Sequence, residues 1–142
     1  MLRQAVLLVG GLGTRLGDLT CDTPKPMLPV DGRPFLDMLV ETAARFGFKD
    51  VVLLCGFRAE RIEDHFSARR FPGTTVRVVV EPEAAGTGGA LRHAAPLLDD
   101  VFLLANGDTF FDFNWRDLAC LPADDGWVAR LALRELSSGH RY

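Results

Sequence analysis

The chain has 142 residues, enough for one domain whose core takes about 68–70% of the unfolded surface out of water. Apolar residues make up 48% and charged residues 25%, a composition that excludes a disordered chain. Sixteen Lys plus Arg against nineteen Asp plus Glu leave a net charge of −3, which argues against broad binding of nucleic acid or an anionic membrane.

Apolar runs alternate with helical patterns. Residues 5–9, Ala-Val-Leu-Leu-Val, read as a strand buried on both faces and ended by Gly10-Gly11. The run is too short for a signal peptide, and no stretch approaches the ~20 apolar residues of a membrane span. Residues 10–34 are rich in Gly and Pro. Phe35, Leu36, Leu39, Val40, Ala43 and Phe46 then recur at helical spacing, with Gly47 as a stop. Residues 50–55 are a second buried strand, and 58–69 a polar helix with Ile62 and Phe66 as its stripe. Pro72-Gly73 marks a turn before a third strand at 75–80. A helix with a glycine-rich start is expected at 86–98, a fourth strand at 101–105, a short helix at 115–121 and a fifth strand at 127–133.

This βαβαβαβ order implies an α/β fold, a mostly parallel, doubly wound sheet with helices on both faces. Ligands of such sheets sit outside the carboxyl ends of the strands. That directs attention to residues 10–29, 81–90 and 106–112. Cys21, Cys55 and Cys120 are odd in number and, like His65, His93 and His140, have no ligand-like spacing. A reduced, cytoplasmic setting without a zinc site is the simplest reading. Trp115 and Trp127 read as packing residues and Cys55 as a core thiol. His65, His93 and Arg69-Arg70 read as helix surface.

The first loop is Gly10-Gly-Leu-Gly-Thr-Arg-Leu-Gly17. Glycines here let backbone N–H groups approach phosphate oxygens, and Arg15 adds a planar donor fork. A dinucleotide fingerprint fails: Gly11 and Gly13 fit, but the third position is Leu16, and Pro24 and Pro26 prevent a long helix from starting at the loop. No register supplies a P-loop. Thr23-Pro-Lys-Pro-Met-Leu-Pro29 holds Lys25 between two prolines, which aims its backbone rigidly; the alternative is an exposed lysine in a stiff loop.

The composite Gly10-Gly-Leu-Gly-Thr-Arg-Leu16, Thr20, Pro24-Lys-Pro-Met27, Val30 and Gly32-Arg-Pro-Phe-Leu36 resembles the N-terminal signature of the sugar-1-phosphate nucleotidyltransferases. The resemblance implies a Rossmann-like, three-layer α/β/α fold, of which residues 1–142 are the nucleotide-binding portion. It implies that Gly10, Gly11, Gly13 and Thr14 wrap the nucleotide and that Arg15 and Lys25 contact phosphates. Asp18 stands where the family often has proline. A second segment, Glu81-Pro-Glu-Ala-Ala-Gly-Thr-Gly-Gly-Ala90, resembles the heptose- and mannose-1-phosphate guanylyltransferase branch, with Ala84 where proline is common. Gly86 and Gly88 permit a flat base to approach the backbone, and Thr87 either caps the helix or meets a ribose hydroxyl. The Glu81 carboxylate either accepts N1–H and N2–H from guanine or is a solvated strand end.

Asn106-Gly107-Asp108 ends the fourth strand, either as a turn or as a substrate-binding edge whose aspartate holds Mg²⁺ on a triphosphate. The resemblance implies that Asp108 is the metal ligand. The implied partners are an NTP and a sugar 1-phosphate, with no nucleic acid and no membrane. The implied reaction is nucleotidyl transfer with release of pyrophosphate, guanylyl first and uridylyl, cytidylyl or thymidylyl transfer to another sugar 1-phosphate as the alternative. Family domains continue for about a hundred residues more, carrying a second metal-binding aspartate and most sugar contacts. A chain without them is expected to expose a sheet edge and self-associate, or to bind nucleotide with little turnover.

Overall fold

A computed structural model describes residues 2–11, 17, 19–120 and 128–135 of the chain, with the Cys120 side chain outside that description. Strand β1 (Gln4–Leu8) lies at the centre of a parallel sheet, paired on one side with β4 (Asp50–Cys55) and on the other with β6 (Leu103–Asn106). Strand β5 (Thr75–Val80) pairs with the outer side of β4, so the spatial order is β5-β4-β1-β6. The chain therefore steps outward from β1 to β4 to β5, then returns to the far side of β1. The reversal puts a topological switch point between β1 and β6, where the loops after those strands part and leave a crevice.

The two central strands are apolar on both faces because helices cover both. Helix α1 (Phe35–Arg45) and α2 (Ala59–Ser67) pack on one face against Ala5, Leu7, Val51 and Leu53. Helix α3 (Gly86–Ala94) covers the other through Ala90 and Ala94 against Val6, Val52 and Leu54. The result is three layers. Helix α1 buries Leu36, Leu39, Val40 and Ala43, the i, i+3, i+4, i+7 stripe read from the sequence. Gly47 ends it at φ 77°, where its N–H donates to Ala44 O at 2.9 Å and Phe48 N–H to Ala43 O at 3.1 Å. That bond pair satisfies two carbonyls left over at the helix end.

The expected strands at 50–55 and 75–80 form with those bounds; the first and fourth are shifted by one or two residues. The helix expected at 86–98 stops at Ala94 and continues as a 3₁₀ turn at Ala95–Leu97, tightened by Pro96. The short helix expected at 115–121 is α4 (Asp117–Cys120). Trp115 is buried against Phe46 and Phe48, as expected of a packing residue.

Three expectations need correction. No strand forms at 128–133, and Trp127 lies outside the described residues. A strand exists only through a hydrogen-bonded neighbour; among the described residues β6 pairs with β1 alone, and Val128, Leu131 and Leu133 are exposed. His65 and Arg69 are not mere helix surface. His65 Nε2 lies 2.7 Å and Arg69 Nη1 3.0 Å from the two carboxylate oxygens of Asp37, which is fully buried on α1. These contacts tie α1 to α2. The proline-rich stretch also folds back as a hairpin, β2 (Pro29–Val30) against β3 (Arg33–Pro34), turned by Asp31 and Gly32 at φ 55° and 79°. Positive φ at both turn residues is the geometry that an Asp-Gly pair favours.

Candidate active site

The carboxyl ends of all four parallel strands open on one cleft of about 930 Å³, within the range of small-ligand sites. Gly10, Gly11, Lys25, Glu81, Gly86, Thr87, Asn106 and Asp108 line it together. Sequence reasoning had singled out each of them, from segments as far apart as residues 10 and 108. Gly88 and Gly107 do not line it. Gly107 instead donates its N–H to Leu8 O at 2.8 Å and holds the ends of β1 and β6 together. A β-carbon there would lie 2.1 Å from Val9 Cγ1, so the position accepts only glycine without a shift of backbone or core. Gly13, Thr14 and Arg15 lie outside the described residues.

Backbone bonds draw the strand ends close. Val9 N–H donates to Leu54 O at 2.8 Å and Glu81 N–H to Cys55 O at 2.7 Å, continuing the ladders past the strands. Gly10 and Gly56 then touch: a β-carbon on Gly56 would meet Gly10 O at 3.1 Å. One on Gly10 would meet Glu81 Oε1 at 2.9 Å. The floor of this end is thus bare backbone bordered by the Glu81 carboxylate, with Glu83 also on the lining, a shape suited to a flat ring with donor groups. Gly56 and Phe57 also line the cleft, and sequence reasoning missed them. Their signal was available, since β4 belongs to the same parallel sheet and its carboxyl end must face the same side.

Residues 86 and 87 begin α3 at the cleft wall. The helix has no side-chain cap, so Thr87 does not take the capping role. At the opposite end of the cleft, Lys25 sits in a 3₁₀ turn (Lys25–Met27), flanked by Pro24 and the buried Pro26. Its Nζ donates to Asp108 Oδ2 at 2.7 Å. Thr109 Oγ1 donates to the other oxygen at 3.1 Å. Partial burial pushes the Asp108 carboxyl up, but the hydrogen bonds from Lys25 and Thr109 and the lysine charge outweigh it, and the group is held below its ordinary range.

Among the described residues no three His, Cys, Asp or Glu side chains gather as a metal cluster. Asp108 brings one carboxylate to the cleft. That donor set fits Mg²⁺, which keeps waters and takes most other ligands from substrate phosphates, and it does not fit a structural zinc. No helix among the described residues is long and apolar enough to cross a membrane.

The nucleotidyl transferase family profile matches residues 4–126. The chain is 37% identical over 139 residues to D-glycero-alpha-D-manno-heptose 1-phosphate guanylyltransferase of Campylobacter jejuni, covering 98% of this chain and 61% of that protein. It is 40% identical over 119 residues to mannose-1-phosphate guanylyltransferase of Mycobacterium tuberculosis, covering 83% and 32%. The crystal structure of HddC from Yersinia pseudotuberculosis complexed with GMP-PN superposes with a TM-score of 0.75 at 33% identity, covering 83% of this chain and 53% of that one. The chain thus spans about three-fifths of the length of the Campylobacter relative, 61%. With its three layers, parallel sheet and cleft at the strand ends, the chain belongs to the nucleotidyl transferase family.

Proposed function

We propose that residues 1–142 form the nucleotide-binding portion of a sugar-1-phosphate guanylyltransferase, which takes GTP with Mg²⁺ and a heptose or mannose 1-phosphate and gives GDP-sugar and pyrophosphate. The observation that carries this reading is the polarity of the cleft. A carboxylate on bare backbone stands at the β5 end, and a lysine beside a carboxylate stands at the β6 end. A guanine fits the first, with N1–H and N2–H donated to Glu81. The triphosphate fits the second. Both relatives described above are guanylyltransferases, and the HddC structure is a complex with GMP-PN.

In the proposed reaction a phosphate oxygen of the sugar 1-phosphate forms a bond to the α-phosphorus of GTP. The bond from that phosphorus to the β-phosphate bridging oxygen breaks, and its electron pair leaves with pyrophosphate. The attacking oxygen is already anionic near pH 7, so no side chain need remove a proton. The obstacle is the meeting of two anions. The residues therefore act by position and charge rather than by acid–base chemistry. Gly10, Gly11, Gly86 and Thr87 hold base and ribose. Lys25 and Arg15 meet phosphate oxygens, and Asp108 holds the cation. Mg²⁺, when bound, neutralises charge that builds up on the phosphates.

A second reading is a nucleotide-binding module with little turnover, favoured by the pairing of Lys25 with Asp108, which engages both groups with each other. Pyrophosphate release separates the two. The enzyme reading predicts Mg²⁺-dependent release with GTP and mannose or heptose 1-phosphate, above that with UTP or CTP. Nucleotide binding without release supports the module. Faster release with UTP or CTP overturns the guanylyl assignment.

A further inference from the structure

We propose that the Lys25–Asp108 ion pair is a latch that keeps a divalent cation off Asp108 until a triphosphate draws Lys25 away. The proposal rests on the nucleotide-binding reading above and adds an order to it: cation and triphosphate enter as a unit.

The geometry occupies both oxygens of the carboxylate. Lys25 Nζ is 2.7 Å from Oδ2, and Thr109 Oγ1 is 3.1 Å from Oδ1. Mg²⁺ binds oxygen at about 2.0–2.1 Å, so a cation on Oδ2 would sit within about 5 Å of the ammonium, where like charges repel. Among the described residues no three His, Cys, Asp or Glu side chains cluster to offset that repulsion. A carboxylate whose charge is already matched by a lysine is a poor site for a free cation.

The lysine is also built to change partners. Its backbone is pinned in the 3₁₀ turn between Pro24 and the buried Pro26. Its side chain is 37% exposed, on a flexible four-carbon stem. The backbone is thus a fixed pivot, and only the ammonium needs to swing. A triphosphate in the cleft offers it more negative charge than one carboxylate does. Once Lys25 turns to phosphate, Asp108 is freed to take the cation that the triphosphate carries. By linkage, triphosphate must then raise the affinity of Asp108 for cation, and cation that of the site for triphosphate.

The test reads metal binding without turnover. Free Mn²⁺ is followed by electron paramagnetic resonance as the 142-residue chain is titrated with Mn²⁺ alone. Lys25→Met and Lys25→Gln are each expected to bind Mn²⁺ at least about tenfold more tightly than the parent chain. Adding Asp108→Asn to either should abolish the gain. Equal affinity in the parent and both lysine variants overturns the latch. The parent chain supplies an independent readout should the variants misfold. Mn²⁺ alone should leave the Thr109 amide resonance sharp, and Mn²⁺ with inorganic tripolyphosphate should broaden it. Broadening by Mn²⁺ alone at the same concentration, or none with tripolyphosphate, also overturns it. Failure of the guanylyl reading looks different: GTP and UTP would then bind equally, whatever Mn²⁺ does by itself.

Discussion

A β-carbon on Gly10 would lie 2.9 Å from Glu81 Oε1, so the first loop's glycine and the carboxylate after β5 share one small space. The atom it would displace is the end of a flexible side chain. Gly10→Ala is therefore expected to change stability by less than about 1 kcal/mol while turning the carboxylate away from the cleft floor. Gly107→Ala is the contrast. Its β-carbon would lie 2.1 Å from Val9 Cγ1 and 2.9 Å from Leu8 O, which belong to core and backbone. It should cost about 2 kcal/mol or more. Denaturant unfolding of both variants checks the difference, and equal losses would contradict it.

Glu81→Gln keeps the shape of the side chain and removes the acceptor pair. If the carboxylate reads guanine, GTP binding weakens while UTP binding changes little. Calorimetry with both nucleotides decides this, and equal weakening of the two would remove the base-reading role.

Arg15→Ala should lower kcat by ~10²–10³, the usual loss when one transition-state donor is removed. Steady-state pyrophosphate release measures it. A fall below about threefold, against a donor's expected contribution, would take Arg15 out of the phosphate contacts.

The segments that were legible were those whose physics is local. β4 and β5 are uninterrupted apolar runs between turn residues, and α1 carries its stripe and its glycine stop in sequence. Site residues such as Gly10, Glu81 and Asp108 were legible because a parallel sheet sends every strand's carboxyl end to one side. What stayed hidden were meetings across distance. Lys25 and Asp108 were each assigned to a ligand, and their mutual pairing spans 83 positions. Asp37, His65 and Arg69 meet only once α1 and α2 lie side by side. The strand expected at 127–133 has a strand's composition, but composition does not supply a neighbour. The Asp31-Gly32 turn had a local signal that the surrounding prolines masked.

The Asp37 cluster predicts an asymmetry. Asp37 is fully buried, whereas Arg69 is 42% exposed and can turn to water. Removing the partners strands a buried charge, and removing the aspartate strands none. His65→Ala with Arg69→Ala should cost about 3 kcal/mol, and Asp37→Asn about 1 kcal/mol. Unfolding in urea at pH 7 compares them, and the reverse ranking would contradict the burial argument.

The pH dependence follows from Asp108. The folded chain keeps this carboxyl ionised to a lower pH than the unfolded chain does, where its ordinary value is 3.8. Its contribution is therefore complete well above pH 3.8 and is lost as pH falls below that value, through the lowered one. Both partners are more than a third exposed, which limits the effect to under about 1 kcal/mol. Asp108→Asn should lower stability in the neutral region by up to that amount and leave it near the parent value at acid pH, where the parent carboxyl is protonated, so the acid limb is flatter.

The chain is expected to form a guanine-selective nucleotide site. Thermal melting with Mg²⁺ and, in turn, GTP, UTP, CTP, dTTP and ATP tests it most directly. A ligand at 100 times its Kd adds about 2.7 kcal/mol of stability, a shift readily seen in a melt. A rise in Tm with GTP that requires Mg²⁺ and exceeds the rise with every other nucleotide is the predicted result. No rise with any nucleotide, or an equal rise with UTP, would contradict it.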